Sequence, residues 1–517
     1  MTLTKRSISS NVNDRSREAI KAFDFGEVDP AVYWPAFYSR DARFDGRIFA
    51  GVVSTKIYCR SICPVPFAKP NNIAWFASAA AAEAEGFQPC RRCRPQAAPG
   101  TPAWRGTSAV VSRALKLILE GNLDSGNVDQ LAERVGIGSR QLRRLFVEHM
   151  GAPPIKIAIT RRVHFARTLI EETALPITDV AMSAGFQSIR RFNHAIHSAY
   201  GQSPKSLRAL AGRTDSFSRS SGLSIRLSYR PPFDWKFLLQ FLRIRAVPGV
   251  EQVDEESYRR TIEIDGAHGD LEVTHDQTHN QLITRIHLPR YESLMSIADR
   301  VRRIFDLRAD PLQILSHLGQ DKFLKHALDK RPGLRVPGAW DGYELSICAI
   351  LGDAIGPNRA SRKLVKRFVE AFGESRTFAT DGLTHLFPRP RDFSLAELSS
   401  IGIDRDRATA IIALSSAVAR KKLTFEATLS LKESVSRLLA VPGIGRAIAE
   451  YIAMRGFGEP DAFPLKPSAL KEYFSQSRCP ITRLGYSKLT ARWQPWRAYA
   501  AMHLISTCKT QNCSPDQ

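Results

Sequence analysis

Four cysteines fall close together in the first hundred residues, as Cys59-x3-Cys63 and Cys90-x2-Cys93, with 26 residues between the pairs. Two close cysteine pairs can deliver four thiolates to one tetrahedral ion, and thiolate ligation selects zinc over hard cations. A thiolate held by zinc stays deprotonated at neutral pH, so such a centre can be structural or nucleophilic. Four thiolates on a divalent ion leave excess negative charge, and at least one sulfur keeps nucleophilic character. Around the cysteines lie Arg60, Lys69, Arg91, Arg92 and Arg94, with Tyr58, Phe67, Trp75 and Phe87 between them. These cations are expected to face phosphate. The other cysteines, Cys348, Cys479, Cys508 and Cys513, are scattered, and eight in 517 residues make no disulfide framework.

Further along, two stretches share a helical pattern. Val128, Leu131, Ala132 and Val135 form one stripe, and the tight turn Gly136-Ile137-Gly138 follows it. Ser139 is expected to cap a helix to about His149 that buries Leu142, Leu145 and Phe146 and exposes Arg140, Gln141, Arg143 and Arg144. The arrangement repeats: Ile177, Val180, Ala181 and Ala184, a turn at Gly185, then a helix from Ser188 carrying Arg190, Arg191 and Asn193. This is a doubled helix-turn-helix, whose second helices are built to enter successive major grooves.

A third motif is LLAVPGIGRAIAEYIAMRGFG over 438–458. A helix is expected to end at Val441, with a tight turn through Gly443 and Gly445 before the next helix. The glycines let backbone approach a phosphate, and the second helix offers free N–H groups at its positive end. Before it, the segment from about Leu223 to Leu288 alternates as strands do, and the chain reads as helical after about Tyr291.

The whole chain carries 74 Lys and Arg against 51 Asp and Glu, a net charge of +23. The excess is spread over all parts and is densest in the middle, which suits one polyanion touched by every part. A hydrophobic content of 43% excludes a wholly disordered chain. No apolar run approaches membrane-spanning length, and the N-terminus lacks a secretory core, so a cytoplasmic protein without a membrane partner is expected. PQAAPGTP at 95–102 and GRTDSFSRSSG at 212–222 read as linkers. The expected organisation is multidomain α+β. A polar tail (1–30) precedes a small zinc domain (31–96) and an all-α double helix-turn-helix domain (105–211). A mixed α/β domain (223–295) and an all-α helix-hairpin-helix domain (296–510) follow.

Three resemblances attach to these motifs. The run DGRIFAGVVSTKIYCRSICPVPFAKPNNIAWFASAAAAEAEGFQPCRRCRP resembles the N-terminal domain of the Ada family of adaptive-response repair proteins. It implies that Cys59 is both zinc ligand and methyl acceptor, taking a methyl irreversibly from a methylphosphotriester in DNA. Conversion of the thiolate to a thioether then removes negative charge and relieves repulsion from DNA phosphates. The run LPITDVAMSAGFQSIRRFNHAIHSAYGQSPKSLR resembles the AraC family of transcription regulators, with its Ala-x-x-x-Gly-Phe run, Phe192 and Gly-x-Ser-Pro ending. It implies that Arg140, Gln141, Arg143, Arg144, Gln187, Arg190, Arg191 and Asn193 lie at or near the DNA-facing helices, with promoter DNA and RNA polymerase as partners. No Pro-Cys-His-Arg acceptor motif follows Gly222, so repair of O6-methylguanine is not expected.

The third part is similar to the AlkA-type DNA-3-methyladenine glycosylases of the helix-hairpin-helix superfamily, through RPPFDWKFLLQFLRIRAV, RPGLRVPGAWDGYELSICAILG, PDAFP and RWQPWRAYAAMHL. It implies base flipping, with Phe241 and Tyr451 lining the base pocket. The family's catalytic Asp lies six residues after the Asp of the DAFP-like motif; counting from Asp461 gives Pro467. The pocket Trp after Gly-Arg is Ala447, the wedge loop is Asp353-Ala354, and a further pocket aromatic is Ile505. Loss of the main electrostatic stabiliser costs on the order of 10²–10³ in rate. A weak or inactive glycosylase is therefore expected; Lys466, Asp353 and Asp461 are the candidate substitutes. Three readings stand: a suicidal methyl acceptor coupled to transcription, an active base-excision enzyme, and a plain regulator whose zinc is structural.

Overall fold

The computed structural model describes residues 30–66, 68–95, 98, 109–211, 222–352, 358–378, 380–425, 430–465 and 483–507. The chain divides into two units, Met1–Asp215 and Ser216–Gln517.

In the first unit a short sheet carries the cysteines. Its order is β3-β1-β2-β4, with β1 Phe49–Val52, β2 Ile57–Cys59, β3 Ile73–Phe76 and β4 Gln88–Pro89. β1 pairs antiparallel with both β2 and β3, and β2 runs parallel to β4. Phe49, Tyr58, Phe76 and Phe87 pack into one apolar cluster beneath it. The rings close over Gly51, where an added Cβ would lie 2.6 Å from the Phe87 ring. That packing fixes β2, and so places Cys59 at its end.

The remainder of this unit is helical. Val128–Arg134 and Ser139–Met150 form the first helix-turn-helix, and Ile177–Ser183 and Ile189–Tyr200 the second. The helix Pro154–Glu172 joins them. Both turns use a glycine at positive φ, Gly136 at 77° and Gly185 at 78°, a conformation that side chains with a Cβ rarely adopt. Leu142 and Phe146 are fully buried, and Leu145 is only half-buried. Ser139 does not cap its helix as expected. Gly138 occupies that position without a side-chain cap, and Ser139 is the first helical residue. Ser188 does cap the equivalent helix, accepting from the Arg191 N–H.

The second unit opens on a five-stranded antiparallel sheet ordered β5-β9-β8-β7-β6. Its strands are β5 Leu223–Ser228, β6 Glu251–Val253, β7 Ser257–Ile264, β8 Ala267–Asp276 and β9 Gln281–His287. Along β5 Leu223, Ile225 and Leu227 point inward and alternate with exposed Ser224 and Arg226, the period of a strand with one buried face. Helix Trp235–Arg245 is inserted between β5 and β6, and helices dominate after Leu294. The chain is thus multidomain, with mixed α and β parts. Among the described residues no helix is long and apolar enough to cross a membrane.

Candidate functional site

Strand β2 ends on Cys59, and the turn from Arg60 brings Cys63 back beneath it, closed by the Cys63 N–H to the Arg60 carbonyl at 3.2 Å. The second pair sits on a matching turn. The Cys90 N–H donates to the Tyr58 carbonyl at 3.0 Å, and the Arg94 N–H donates to the Cys90 carbonyl at 3.1 Å. Arg94 takes positive φ there, at 51°. The four sulfurs lie within 4.8 Å of one another, and all four cysteines are buried. A tetrahedral ion with bonds of about 2.3 Å would hold its sulfurs about 3.8 Å apart, so this set fits zinc. The crowding perturbs the thiols in opposite directions: hydrogen bonds within the cluster push the Cys59 thiol up and pull those of Cys63 and Cys90 down. Cys59, Cys63, Cys90 and Cys93 are placed to hold a zinc ion together.

The cations around the cluster divide into two groups. Lys69, Arg91 and Arg92 are exposed. Arg60 is not, contrary to expectation. It is 6% exposed, forms a two-pronged ion pair with buried Asp45 and reaches the Cys93 carbonyl at 3.4 Å. A buried guanidinium cannot face a phosphate; here it ties two stretches of the cysteine fold together. Asp45 was invisible as a functional residue in the sequence, because only the fold brings it to Arg60. Phe67 lies outside the described residues.

Both second helices of the repeat carry their cations outward. Arg140, Gln141, Arg143 and Arg144 are exposed on Ser139–Met150, and Arg190, Arg191 and Asn193 on Ile189–Tyr200. Gln187 is exposed too, although its amide donates to the Asp124 carbonyl at 3.3 Å. Each helix thus offers one polar, basic face and buries the other, Leu142 and Phe146 in one, Phe192 and Ile196 in the other.

In the second unit, Leu431–Leu439 and Arg446–Arg455 form the hairpin. The first helix ends two residues earlier than expected, with Ala440 as its C-cap. Gly443 takes φ 83°, and a Cβ there would meet the Ala410 Cβ at 2.6 Å. Gly445 caps the second helix with no side chain, and among the described residues nothing lies within 4 Å of where its Cβ would be. The turn therefore presents bare backbone.

Phe241 and Tyr451 are both buried and come together through two arginines. Arg455 donates to the Tyr451 hydroxyl at 2.6 Å and lies 5.1 Å from the Phe241 ring centre, while Arg245 lies 3.7 Å from that ring. Burial alone would raise the Tyr451 phenol; the guanidiniums of Arg455 and Arg245 overcome it and hold it below its ordinary value. The sequence reading missed both arginines, whose spacing follows the same helical faces as the aromatics. An adjoining cavity is lined by Tyr451, Arg455, Arg245, Trp340, Glu344 and Cys348. Burial pushes the Glu344 carboxyl up to about 7, although Arg260 donates to it at 2.8 Å. Ile505 is buried. Asp461 is held by Arg497. Asp353, Ala354, Lys466 and Pro467 lie outside the described residues, as do Cys479, Cys508 and Cys513.

Three family models match the chain: the metal binding domain of Ada over residues 32–96, a helix-turn-helix domain over 131–209, and the AlkA N-terminal domain over 224–341. The chain is 39% identical over 476 residues to a Mycobacterium tuberculosis protein named as a probable bifunctional transcriptional activator/DNA repair enzyme AlkA. That match covers 91% of this chain and 95% of the relative. The chain is also similar to DNA-3-methyladenine glycosylase 2 of Escherichia coli, 30% identical over 294 residues, 56% of this chain and 99% of the relative. The bifunctional transcriptional activator/DNA repair enzyme Ada of Escherichia coli is 28% identical over 177 residues, 34% of this chain and 48% of that protein.

Proposed function

We propose that this chain, which belongs to the family of bifunctional transcriptional activators and DNA repair enzymes, senses DNA methylation through Cys59 and answers it by activating transcription. The observation that carries the reading is the buried four-sulfur cluster, with Cys59 at the end of β2, in a chain that places a doubled helix-turn-helix directly after it.

Zinc, when bound, keeps the four thiols deprotonated at neutral pH. The Cys59 sulfur attacks the methyl carbon of a methylphosphotriester. An S–C bond forms as the O–C bond breaks, and the electron pair leaves on the phosphate oxygen. The products are a DNA phosphodiester anion and a thioether on Cys59. No acid or base is needed, because the leaving group is a stable anion. Exposed Lys69, Arg91 and Arg92 draw the DNA backbone to the cluster. Arg60 and Asp45 hold the turn that carries Cys59 and Cys63. Loss of one negative charge on methylation strengthens DNA binding. The exposed faces of Ser139–Met150 and Ile189–Tyr200 then read the promoter in successive major grooves, and RNA polymerase is recruited there, in the cytoplasm at the nucleoid.

For the second unit we propose DNA binding by the bare backbone of the Gly443–Gly445 turn with weak or absent base excision. No Asp occurs between Asp461 and Asp516, and Asp461 is already paired. The competing reading is an active base-excision enzyme, favoured by the likeness along 99% of the Escherichia coli glycosylase.

Two measurements test the proposal. Incubation with DNA carrying methylphosphotriesters, followed by peptide mass spectrometry, is expected to find one methyl on Cys59. A peptide that stays unmethylated while zinc is bound would leave the plain regulator as the reading. Release of free 3-methyladenine and 7-methylguanine from alkylated duplex DNA, compared with Tyr451→Ala, is expected to be at background. Release that disappears in Tyr451→Ala would establish the active glycosylase instead.

A further inference from the structure

The first unit joins its cysteine-bearing sheet to its helices through residues beside the zinc ligands. Tyr58, next to Cys59, donates its hydroxyl to Glu83 Oε1 at 2.9 Å. Glu83 also accepts from the Thr160 hydroxyl at 2.6 Å, and His164 Nε2 lies 3.0 Å from it. Thr160 and His164 belong to the helix Pro154–Glu172. On the other ligand pair, Arg94, next to Cys93, forms ion pairs with Glu171 and, at 3.6 Å, with Glu172 at the end of that same helix. Glu171 in turn pairs with Arg167, whose guanidinium lies 4.8 Å from the centre of the Tyr200 ring. Tyr200 is the last residue of Ile189–Tyr200.

The first basic helix is held in the same way. Ser78, which caps the helix Ala79–Ala84 of the cysteine half, donates its hydroxyl to the carbonyl of Met150 at 2.9 Å. Met150 is the last residue of Ser139–Met150. Ala80 from the cysteine half is buried in the apolar cluster that contains Leu142, Phe146 and Met150. Met150 and Tyr200 are equivalent positions of the repeat, each followed by a glycine at positive φ, Gly151 at 71° and Gly201 at 65°. Both basic helices therefore end on contacts that trace back to the cysteine half.

We propose that the zinc-bound half is a clamp that sets the spacing of the two basic helices by holding each at its C-terminal residue. The inference rests on the reading that these helices meet DNA. Two helices that enter successive grooves must sit about 34 Å apart, and one linking helix leaves that spacing free to bend. The Ser78 bond at the far end of Ser139–Met150 and the packing of β4 against Ile189–Tyr200 are attachments independent of that linking helix, and they remove that freedom. Order in the four-cysteine cluster then reaches Pro154–Glu172 and Tyr200 through Tyr58–Glu83 and Arg94–Glu171, and Ser139–Met150 through Ser78 and Ala80 of the same half.

Amide hydrogen exchange on the full-length protein tests this, with zinc bound and after chelation. Chelation is expected to raise exchange in residues 139–150 and 189–200 by about tenfold and to leave Trp235–Arg245 in the second unit unchanged. The double variant Glu83→Gln/Arg94→Met, with zinc content checked, is expected to exchange at the raised rate in 189–200 before any chelation. If that variant loses zinc, Tyr58→Phe with Arg94→Met is used instead. Helices that exchange at the same rate with and without zinc, or a zinc-loaded variant as protected as wild type, would overturn the clamp. Anisotropy of a labelled duplex of about thirty base pairs is measured in parallel. A wild-type protein that does not bind it would overturn the DNA reading while the exchange data still decide the clamp.

Discussion

Asp461 and Arg497 form a two-pronged ion pair, Nε to Oδ1 at 2.7 Å and the terminal NH2 to Oδ2 at 2.8 Å, and Gln494 adds a third donor at 3.2 Å. Both carboxylate oxygens are thereby committed to the helix Arg497–Thr507 and the loop before it. A carboxylate engaged in this way is a brace and is not poised to stabilise an oxocarbenium ion. Asp461→Asn is expected to lower stability by about 1–3 kcal/mol, because a half-buried guanidinium loses its charged partner. It should leave any base release unchanged. A urea titration followed alongside a base-release assay checks both; a variant of wild-type stability that loses measurable release would make Asp461 catalytic.

Zinc removal should act unevenly on the chain. Structural zinc contributes about 10–16 kcal/mol in small zinc modules, and here the four cysteines and the apolar ring cluster form one small fold. Cys63→Ser is expected to lose zinc and to lower the thermal transition of the first unit, with the second unit unaffected. Calorimetry of the full chain with metal analysis reads this directly. One transition, shifted as a whole, would show that the two units do not unfold separately.

The exposed arginines of the repeat make a prediction about salt. Arg143→Ala and Arg191→Ala each remove one exposed cation from a basic helix. If the lost contact is with phosphate, the slope of log affinity against log salt should fall by about 1 for each. If it is with a base edge, affinity for the preferred sequence should drop while the slope stays. Anisotropy over a salt series separates the two. A variant with unchanged affinity and slope would take its arginine out of the interface.

The repeat and the cysteine cluster were legible in the sequence because each is a local pattern. Four thiols at short spacing announce a metal whatever surrounds them, and a 3.6-residue stripe broken by glycine announces a helix-turn-helix. Arg60 was misread for the opposite reason. Its neighbours in sequence are zinc ligands, but its partner Asp45 is fifteen residues away and nothing local marks the pair. Glu83 shows the same limit. It sits in an alanine-rich helix like any solvated carboxylate, yet burial would raise it and hydrogen bonds from His164, Thr160 and Tyr58 overcome that and hold it below its ordinary value. Ser139 misled because serine is a good cap in general, while here the tight turn leaves Gly138 in the capping position. Local chemistry was readable; the long-range polar contacts that fasten one element to another were not.

A last prediction concerns pH. Asp306 is half-buried, and the loss of water around it pushes its carboxyl up to about 6 from an ordinary 3.8, against the pull of Arg335 and of hydrogen bonds from Tyr499 at 2.7 Å and the Val336 N–H at 3.3 Å. The folded chain therefore holds this proton more tightly than the unfolded chain. Stability from that proton is fully present below about pH 4 and is lost as pH rises through about 6. Asn at this position is neutral at every pH, and its carbonyl can accept both hydrogen bonds. His503 is depressed to about 4 by burial and works with the opposite sign, but it is common to both proteins and cancels in their difference. Asp306→Asn should therefore gain stability relative to wild type between pH 4 and pH 7, by about 2–3 kcal/mol. Urea midpoints of the second unit at a series of pH values measure this. Curves that stay parallel across the range would mean that Asp306 is ionised in the fold as freely as in water, and that the half-buried position has been relieved by Arg335.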